Sequence, residues 1–434
     1  MRLELAEFPV ASIKLADRFH YAAGQLTVHK SAIEQSVLQE SRIEAAWLEI
    51  VSPGDKVRIT GIRDVVEPRV KVSGSGQVFP GVLGPVQPVG AGRTHRLSGM
   101  AVLVTAEYEG MVRAGLGVQR SAILDMWGDG AAASPFSGLN GLVLNLRLAK
   151  GLSELAAHTI IQRAALETAR RLAEVTLGLS PVQIEVFELG GADPALPSVL
   201  LIQGCLTDAG NPHSGVGYFG LPIRDSLATT VHPNEFLDGA FTMYATRCLA
   251  YFPVTWDWQN HPLLLGLYRE HRRSVNFLGV ILERIAFDTF HGKEVIAQNT
   301  AQLATMLGAD AALLSWIGSG NAFVDVMLTV RACERRDIKT NLVTYEYGGK
   351  DGVDSPLLFY TPAASAMTST GSRDRWIELP AAEKIVGPYE EIKVLTYPGA
   401  PLTSARGPFT LDARDMILGG VDYWGRGDWN CAAY

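Results

Sequence analysis

After residue 260 the chain alternates between helical and strand-like segments, and this alternation constrains the fold more than any other feature. The pattern predicts helices at 261–272, 293–307 and 322–336, each followed by an apolar strand, at 275–282, 311–317 and 340–347. Strands that alternate with helices form βαβ units, in which neighbouring strands run parallel. The pattern therefore predicts a Rossmann-like, parallel-sheet α/β domain over residues 261–434.

Residues 1–150 have a different pattern, in which short apolar runs are separated by Gly, Pro and Asp. Runs such as KVRITGI (56–62) and MAVLVTAEY (100–108) predict a β-rich domain. Residues 151–260 lie between the two parts and begin with a helix at 151–177, for which Ser153 is the predicted N-cap. Two strands are predicted to follow, at 182–189 and 198–206. The predicted class is α/β, with a β-rich N-terminal region and a parallel-sheet C-terminal domain.

Polar residues follow two of the predicted parallel strands at their carboxyl ends, where such sheets bind ligands. Asn321 and Asp325 lie in the turn IGSGNAFVDVM (317–327), and Glu346 lies at the end of the next strand. The turn contains neither GxGxxG nor a P-loop, so neither a dinucleotide nor a nucleoside triphosphate is indicated. These three residues are predicted to bind substrate, and an ordinary turn between strand and helix is the alternative.

The sequence GRTHR (92–96) places Arg93 and His95 between two β-like segments. An arginine can hold a carboxylate with two parallel hydrogen bonds, and a histidine can transfer a proton near neutral pH. Both residues are therefore predicted to contact substrate. The alternative is a solvated basic turn.

The segment 232–262 combines titratable side chains with seven aromatic residues. Desolvation beside aromatic walls perturbs pKa values, which is typical of active sites. The spacing of histidines and acids does not match a zinc helix, so no metal is predicted. A buried linker between domains is the alternative. The candidate catalytic residues of this segment are His232, Glu235, Asp238, Thr246 and Cys248.

The composition narrows the classes of function. The formal net charge of −7 argues against broad nucleic-acid binding, which needs a basic surface. The four cysteines form no CxxC motif, so neither a zinc site nor a disulfide framework is expected. No apolar stretch approaches the roughly 18 residues of a membrane span, and the first residues lack the apolar core of a signal peptide. We expect a cytoplasmic protein.

Short motifs in a fixed order along nearly the whole chain carry a family resemblance. They include EPRVKV (67–72), FPGV (79–82), GRTH (92–95), ILDM (123–126), SPFS (134–137), PNEFLDGA (233–240), LYREH (267–271), NFLGV (276–280) and TYEY (344–347). In order and spacing they resemble the proprotein of component B of glycine, sarcosine and betaine reductase complexes.

The resemblance implies a precursor that is cut into two subunits. In the family, the new N-terminal residue becomes a pyruvoyl group, which captures the amine substrate as a Schiff base. A partner selenoprotein subunit then attacks the carbon that carries the nitrogen. The products pass to a carrier selenoprotein and onward to acetyl phosphate. Whether the partner here has selenocysteine or cysteine stays open.

The residue at the cleavage position departs from the family pattern. The family has cysteine eight residues after the Asp of DGA; here that Asp is Asp238, and the position is occupied by Thr246. Cys248 lies two residues further on. Threonine supplies a β-hydroxyl for an acyl shift, but elimination would give a 2-oxobutanoyl group instead of a pyruvoyl group. Alternatively, Thr246 stays a free N-terminal nucleophile, or the chain is not cleaved. The cofactor therefore remains unknown.

The sequence thus predicts a component B-like subunit that acts on a C–N bond of a small amine or amino acid. Two alternatives are a hydrolase or lyase that uses Thr246 as nucleophile, and a catalytically silent subunit that docks a partner. The chain contains no CxxC, no dinucleotide fingerprint and no selenocysteine to carry electrons. We therefore expect a hetero-oligomer whose second subunit holds the redox-active Cys or Sec.

Overall fold

The structure, a computed structural model, describes most of the chain. The described residues are 1–109, 122–207, 215–224, 226–244, 252–286, 288–349, 351, 353–354, 357–393, 401–426 and the backbone of 430–433.

The first part of the chain is rich in strands. Its elements are β1 (Arg2–Pro9), β2 (Ser12–Ala16), β3 (His20–Ala22), β4 (Gln25–His29), α1 (Lys30–Val37), β5 (Ile43–Val51), β6 (Val57–Val66), β7 (Arg69–Ser73), β8 (Gly92–Ser98), β9 (Met100–Glu107), β10 (Ala122–Asp125), α2 (Gly128–Ala132), a 3-10 helix (Pro135–Gly138) and β11 (Asn140–Leu148).

Helices and strands alternate more regularly in the rest of the chain. The elements are α3 (Glu154–Ala173), a 3-10 helix (Glu174–Thr176), β12 (Gln183–Glu188), β13 (Ser198–Thr207), β14 (Val216–Tyr218), β15 (Leu221–Pro222), β16 (Ala228–Val231), α4 (Pro233–Leu237), β17 (Phe241–Met243), α5 (Thr255–Gln259), α6 (Pro262–Glu270), β18 (Asn276–Ala286), α7 (Phe290–Met306), β19 (Ala311–Ile317), α8 (Ala322–Glu334), β20 (Lys339–Glu346), β21 (Ala366–Ser372), β22 (Trp376–Leu379), β23 (Lys384–Val386), β24 (Glu391–Ile392), β25 (Thr403–Ser404), β26 (Phe409–Asp412), α9 (Ala413–Met416) and β27 (Asn430–Ala433).

Two sheets are built mainly from the strands before residue 150. One has the order β12-β1-β8-β7, and the other has the order β10-β6-β9-β11-β5, with β23 paired to β6. The helix α3 packs against β6, β7 and β9. It begins where predicted, because the Ser153 side chain accepts the backbone N–H of Ala156. Its buried face includes Ile160, Ile161, Leu166 and Leu172, which belong to the same apolar core as these sheets.

A seven-stranded sheet follows, with the order β16-β18-β13-β19-β20-β21-β27. The strands β18, β13, β19, β20 and β21 run parallel, and the two edge strands are antiparallel. The strands predicted at 275–282, 311–317 and 340–347 are confirmed as β18, β19 and β20. The chain is therefore a mixed α/β protein with sheets that contain parallel strands.

The alternative interpretation of GRTHR as a basic turn is wrong. The sequence GRTHR is part of the strand β8 and does not form a turn. The strand pairs in parallel with β1 and antiparallel with β7, so its partners come from elsewhere in the chain. The glycine and the charged residues are typical of a turn, but these long-range backbone hydrogen bonds hold the segment extended.

No helix among the described residues is both long and apolar enough to cross a membrane.

A buried arginine ties a late part of the chain to the second sheet. The Arg58 guanidinium of β6 pairs with Asp125 through Nε and Nη2, at 2.7 and 2.8 Å, and both side chains are fully buried. It also donates to the backbone carbonyls of Pro380, Ala405 and Gly407, at 2.8–2.9 Å. One side chain thus joins β6 to residues more than 300 positions away in sequence.

We predict that Arg58→Met lowers the free energy of unfolding by about 3–5 kcal/mol, because Asp125 would be left buried without its cation. Urea denaturation followed by circular dichroism measures the change. The matched control is Lys384→Met, which removes an ion pair with Glu49 that joins the same two parts of the chain. The Lys384 side chain is 56% exposed, so its loss should cost less than about 1 kcal/mol. Equal losses in the two variants would contradict the prediction.

Candidate functional site

The segment from His232 to Met243 forms a short helix, a tight turn and a short strand. Pro233 is the first residue of α4, and the ring Nδ1 of His232 accepts the backbone N–H of Asn234 at 3.1 Å. The turn requires a glycine, because Gly239 has φ +88° and a Cβ there would lie 3.0 Å from the backbone nitrogen of Phe79. The DGA sequence therefore turns the chain sharply from α4 into β17.

Asp238 ends this helix and is fully buried. Its Oδ1 accepts the hydroxyl of Thr94 at 2.6 Å, and its Oδ2 accepts the backbone N–H of Gly90 at 2.7 Å. The ammonium group of Lys71 forms an ion pair with the same carboxylate. A buried carboxylate is stable only with such compensation. Asp238, predicted as catalytic, therefore anchors the turn to β7 and β8.

Arg69 anchors the same turn from the adjacent position on that face of β7. Its fully buried guanidinium forms an ion pair with Glu67 and donates to the backbone carbonyl of Leu237. It also donates to the carbonyl of Gln259 at 3.1 Å. Residues two apart on a strand share a face, so Arg69 and Lys71 both reach the turn. The sequence EPRVKV thus fixes the backbone that leads into β17.

Glu235 and His232 lie close together at the start of α4. The carboxylate of Glu235 accepts the hydroxyl of Tyr218 at 2.6 Å, and burial raises the pKa of Glu235. Burial also lowers the pKa of His232 to about 4. An acid and a base that are both neutral over part of the acidic pH range can exchange protons with a nearby group. His232 and Glu235 share a backbone hydrogen bond at the start of α4, from the N–H of Glu235 to the carbonyl of His232 at 2.9 Å.

The predicted catalytic residues Thr246 and Cys248 lie outside the described residues, which end at Tyr244 and resume at Phe252. The N–H of Tyr244 donates to the carbonyl of Gly215 at 3.3 Å. The ring of Phe252 packs on the same glycine, where a Cβ would lie only 2.3 Å from the ring. The two flanks of the segment 245–251 therefore meet at Gly215.

Buried polar side chains bind the backbone just before residue 245, which is the upstream flank of the segment 245–251. Gln162 of α3 donates to the carbonyl of Met243 at 2.5 Å and to the hydroxyl of Thr242 at 3.2 Å. The N–H of Met243 donates to the hydroxyl of Thr255 at 3.0 Å. Thr255 begins α5, so it links the flank before residue 245 to the flank after residue 251.

Asp64 of β6 completes this network. Its Oδ1 accepts the backbone N–H of Thr255 at 2.9 Å, and its Oδ2 accepts the hydroxyl of Thr255 at 2.7 Å. Burial raises the pKa of Asp64 from 3.8 to about 7, although hydrogen bonds from Thr255 oppose the shift. Asp64 is therefore a buried acid with a pKa near neutral, bonded to the first residue of α5.

The downstream flank rests on an ion pair. The carboxylate of Asp257 accepts the backbone N–H of Val254 at 2.8 Å and pairs with Arg426. Burial raises the pKa of Asp257, and the charge of Arg426 opposes the shift. The ion pair of Arg426 with Asp257 thereby joins a late part of the chain to α5, which follows Phe252.

His261, the N-cap of α6, connects the segment 232–262 to the seven-stranded sheet. Its Nε2 donates to Oε1 of Gln203 on β13 at 3.1 Å, because that oxygen can only accept. The same oxygen accepts the hydroxyl of Ser315 at 2.5 Å and the indole N–H of Trp424 at 3.1 Å. Burial lowers the pKa of His261 to about 3. His261 is therefore neutral and positions the helix α6.

Arg93 and His95 both lie on the strand β8. Arg93 donates to Glu4 through Nε and Nη2, at 2.8 and 2.6 Å. His95 is buried, and its Nδ1 lies 2.9 Å from the hydroxyl of Thr176. That hydroxyl donates to a backbone carbonyl, so the histidine nitrogen is the donor. Burial lowers the pKa of His95. Both side chains have partners within the fold.

Asn321, Asp325 and Glu346 lie at the carboxyl ends of the adjacent parallel strands β19 and β20, as predicted. Asn321 is exposed, and Glu346 is partly buried. Asp325 is buried in the first turn of α8 and pairs with Lys293 of α7, and burial raises its pKa. Asp325 therefore also joins two helices.

Two cysteine thiols lie within the described residues, and both are buried. Cys205 and Cys333 are free and buried, and burial raises the pKa of each thiol to about 12. No group of three His, Cys, Asp or Glu side chains suited to a metal ion occurs within the part of the chain that the structure describes.

Four residues of the site were not predicted from the sequence, namely Asp64, Gln162, Thr255 and Arg426. Asp64 is a fully buried acid next to the buried Arg63 in the strand VRITGIRDVV, and Gln162 lies on the buried face of α3. A polar residue at a position whose neighbours are buried is the signal that identifies such residues.

The sequence matches the family model of glycine/sarcosine/betaine reductase component B subunits over residues 1–420. It is 30% identical to sarcosine reductase complex component B subunit alpha from Peptoclostridium acidaminophilum, over 91% of both chains. It is 31% identical to glycine reductase complex component B subunits alpha and beta from Acetoanaerobium sticklandii, over 89% of both chains. It is also 31% identical to betaine reductase complex component B subunit alpha from P. acidaminophilum, over 90% of this chain and 89% of that one. No solved structure matches.

The raised pKa of Asp64 gives a prediction for the pH dependence of stability. Between pH 3.8 and about 7 the native state keeps a proton that the unfolded state releases. The stabilising contribution of the protonated Asp64 to the free energy of unfolding is therefore fully present below pH 3.8. It is lost as the pH rises through about 7. In Asp64→Asn the amide stays neutral at every pH. We expect the variant to gain stability relative to the wild type as the pH rises through this range.

Urea denaturation at a series of pH values measures this difference. The control is Asp17→Asn, which changes an exposed aspartate in a loop and should leave the pH dependence unchanged. A stability difference between Asp64→Asn and the wild type that stays constant with pH would show that Asp64 does not titrate in this range.

Proposed function

Because the chain belongs to the family of glycine/sarcosine/betaine reductase component B subunits, we propose that it is the substrate-binding subunit of a reductase-type complex. The complex acts on the C–N bond of a small amine or amino acid. The observation that carries the proposal is the family match over residues 1–420. The hydrolase and the silent scaffold that the sequence left open are not favoured, because the related chains of similar length are described as reductase components.

We propose three parts for this subunit: a β-rich region at 1–150, a connecting part at 151–260, and a Rossmann-like domain at 261–434. The parallel strands β18, β19 and β20 support the last part, and the sheets around β1 and β6 support the first. The connecting part contributes β13 to the parallel sheet. The reactive segment 245–251 then lies in the part that joins the two larger ones.

The pyruvoyl group that the family resemblance implies does not fit the residue at position 246. A pyruvoyl group has three carbons, whereas elimination from threonine leaves the four-carbon 2-oxobutanoyl group. We therefore assign no step to a pyruvoyl group in this protein. The proposed catalytic residues are Thr246 and Cys248 within the segment, with His232 and Glu235 as groups that move protons and Asp238 as the anchor of the backbone.

Substrate binding is proposed for the carboxyl ends of the parallel strands, through Asn321, Asp325 and Glu346. Arg93 and His95 remain candidates, although Arg93 already pairs with Glu4. A substrate that approaches Arg93 must replace this carboxylate. A substrate carboxylate has the right charge for that exchange.

The electrons for reductive C–N cleavage are proposed to come from a second subunit. Both described thiols are buried with strongly raised pKa values, so neither is a thiolate near pH 7. A partner that carries a redox-active cysteine or selenocysteine would supply the missing nucleophile. This proposal places the protein in a soluble complex in the cytoplasm.

We predict that the chain forms a stable hetero-oligomer with a component B partner that contains cysteine or selenocysteine. Co-expression followed by size-exclusion chromatography with light scattering should give one peak that contains both chains. The chain expressed alone is the control for self-association. Two separate peaks at every protein concentration would contradict the proposed complex.

We predict that Thr246→Cys raises the fraction of chain cut before position 246, because a thiolate is a better nucleophile than a hydroxyl group near neutral pH. Intact mass spectrometry should detect fragments that end at residue 245 and begin at residue 246. A reagent for carbonyl groups then tests whether the second fragment has a blocked ketoacyl N-terminus. The control is Cys248→Ala in both backgrounds, which tests whether this thiol contributes. If Thr246→Cys and the wild type both stay whole, the cleavage machinery is absent.

A further inference from the structure

A small cavity borders the downstream flank of the reactive segment. It has a volume of about 240 Å³ and lies between Ala132 at the end of α2, Phe252, and the backbone around Gly420. Pockets for drug-sized ligands have volumes of about 300–1,000 Å³, so this cavity suits a ligand of only a few heavy atoms. Phe252 is the first described residue after the segment 245–251, so a ligand here would lie beside that segment.

Arg426 is the most constrained charged side chain in the wall of this cavity. Its Nη1 pairs with Asp257, and its guanidinium lies over the rings of Trp256 and Trp424, with Cζ 5.1 and 5.6 Å from the ring centres. The two indoles and the carboxylate fix the plane of the guanidinium. A planar group held in this way loses little conformational entropy when a ligand binds.

The second terminal nitrogen of Arg426 lacks an acceptor. Nη2 is buried and makes no hydrogen bond to any residue that the structure describes. A buried N–H group without an acceptor is destabilising, and more so when it carries charge. An acceptor within hydrogen-bond distance of Nη2 would remove this cost.

Two acids and two arginines line the cavity, so its formal charges balance. The two acids, Asp257 and Asp422, are already used by the fold. Asp257 accepts the N–H of Val254 and pairs with Arg426, and Asp422 accepts the backbone N–H groups of Trp424, Gly425 and Arg426 at 2.7–3.0 Å. A second arginine, Arg375, is exposed and also lines the cavity. The positive groups are therefore the ones available to a ligand.

We propose that this cavity is the carboxylate subsite of the protein, in which Arg426 and Arg375 hold the carboxylate of a small amino acid. The subsite would select amino acids over simple amines. The identity of the ligand as an amino acid rests on the proposed function, whereas the carboxylate site itself can be tested on the chain alone.

The test measures binding of ¹³C-labelled acetate, glycine and glycinamide to the purified full-length chain by NMR line broadening. Acetate and glycine should bind, whereas glycinamide, which lacks the carboxylate, should bind much more weakly. Arg426→Gln should weaken acetate binding by about 10- to 100-fold, the range for loss of a charge-assisted hydrogen bond. Arg426→Lys should restore only part of it, because lysine lacks the planar fork.

A second variant keeps the test valid if Arg426→Gln fails to fold. Ala132→Phe places a ring at the exposed rim of the cavity and leaves the pair between Arg426 and Asp257 intact. It should abolish acetate binding while the melting temperature stays unchanged. The control for charge is Arg269→Gln, an arginine with a side chain that is 64% exposed and does not line this cavity. Acetate binding should be unchanged in that control.

Unchanged acetate binding in Arg426→Gln and Ala132→Phe would overturn the assignment, as would equal binding of glycine and glycinamide. Absence of acetate binding to the wild type would overturn it as well. The binding test can fail or succeed independently of the proposed function, because acetate binding is measured on the purified chain without a partner subunit. A chain that binds acetate through Arg426 but never assembles with a partner would retain the subsite and lose the proposed function.

Discussion

Two buried ion pairs beside the strand β7 hold the turn that leads from α4 into β17. Lys71 pairs with Asp238, and Arg69 pairs with Glu67 while it holds the carbonyl of Leu237. Charges are taken out of water only where partners surround them, so the turn at Asp238 has one stable position. The network beyond that turn, with Gln162, Asp64 and Thr255 around Met243, depends on this position.

Much of the fold could be predicted from the sequence, because its signals are local. The helix α3 and the strands β18, β19 and β20 follow from apolar periodicity and from turn residues at their ends. The basic turn, the alternative interpretation of GRTHR, is wrong, because the segment is a strand whose partners β1 and β7 are distant in sequence. No local pattern contains that information. The backbone hydrogen bonds of β8 arise only when the sheet assembles.

The candidate site was predictable in composition but not in arrangement. The acids and histidines of 232–262 predicted the region, in which His232 and Glu235 share a local backbone hydrogen bond. Its supporting residues come from β6, α3 and the end of the chain, through Asp64, Gln162 and Arg426. Each contacts residues that are distant from it in the sequence. Their convergence depends on how the sheets and α3 pack, and one sequence read in short windows does not reveal that packing.

The seven-stranded sheet mixes strands from both sides of the reactive segment. The strands β13 and β16 precede it, whereas β18 to β21 follow it, and β13 lies between β18 and β19. The pairing of β23 with β6 crosses the segment as well. A cut of the backbone between residues 244 and 252 would therefore not release a fragment, because each piece completes sheets that the other begins. Two polypeptides produced in this way would behave as one folded body under native conditions and would separate only on denaturation.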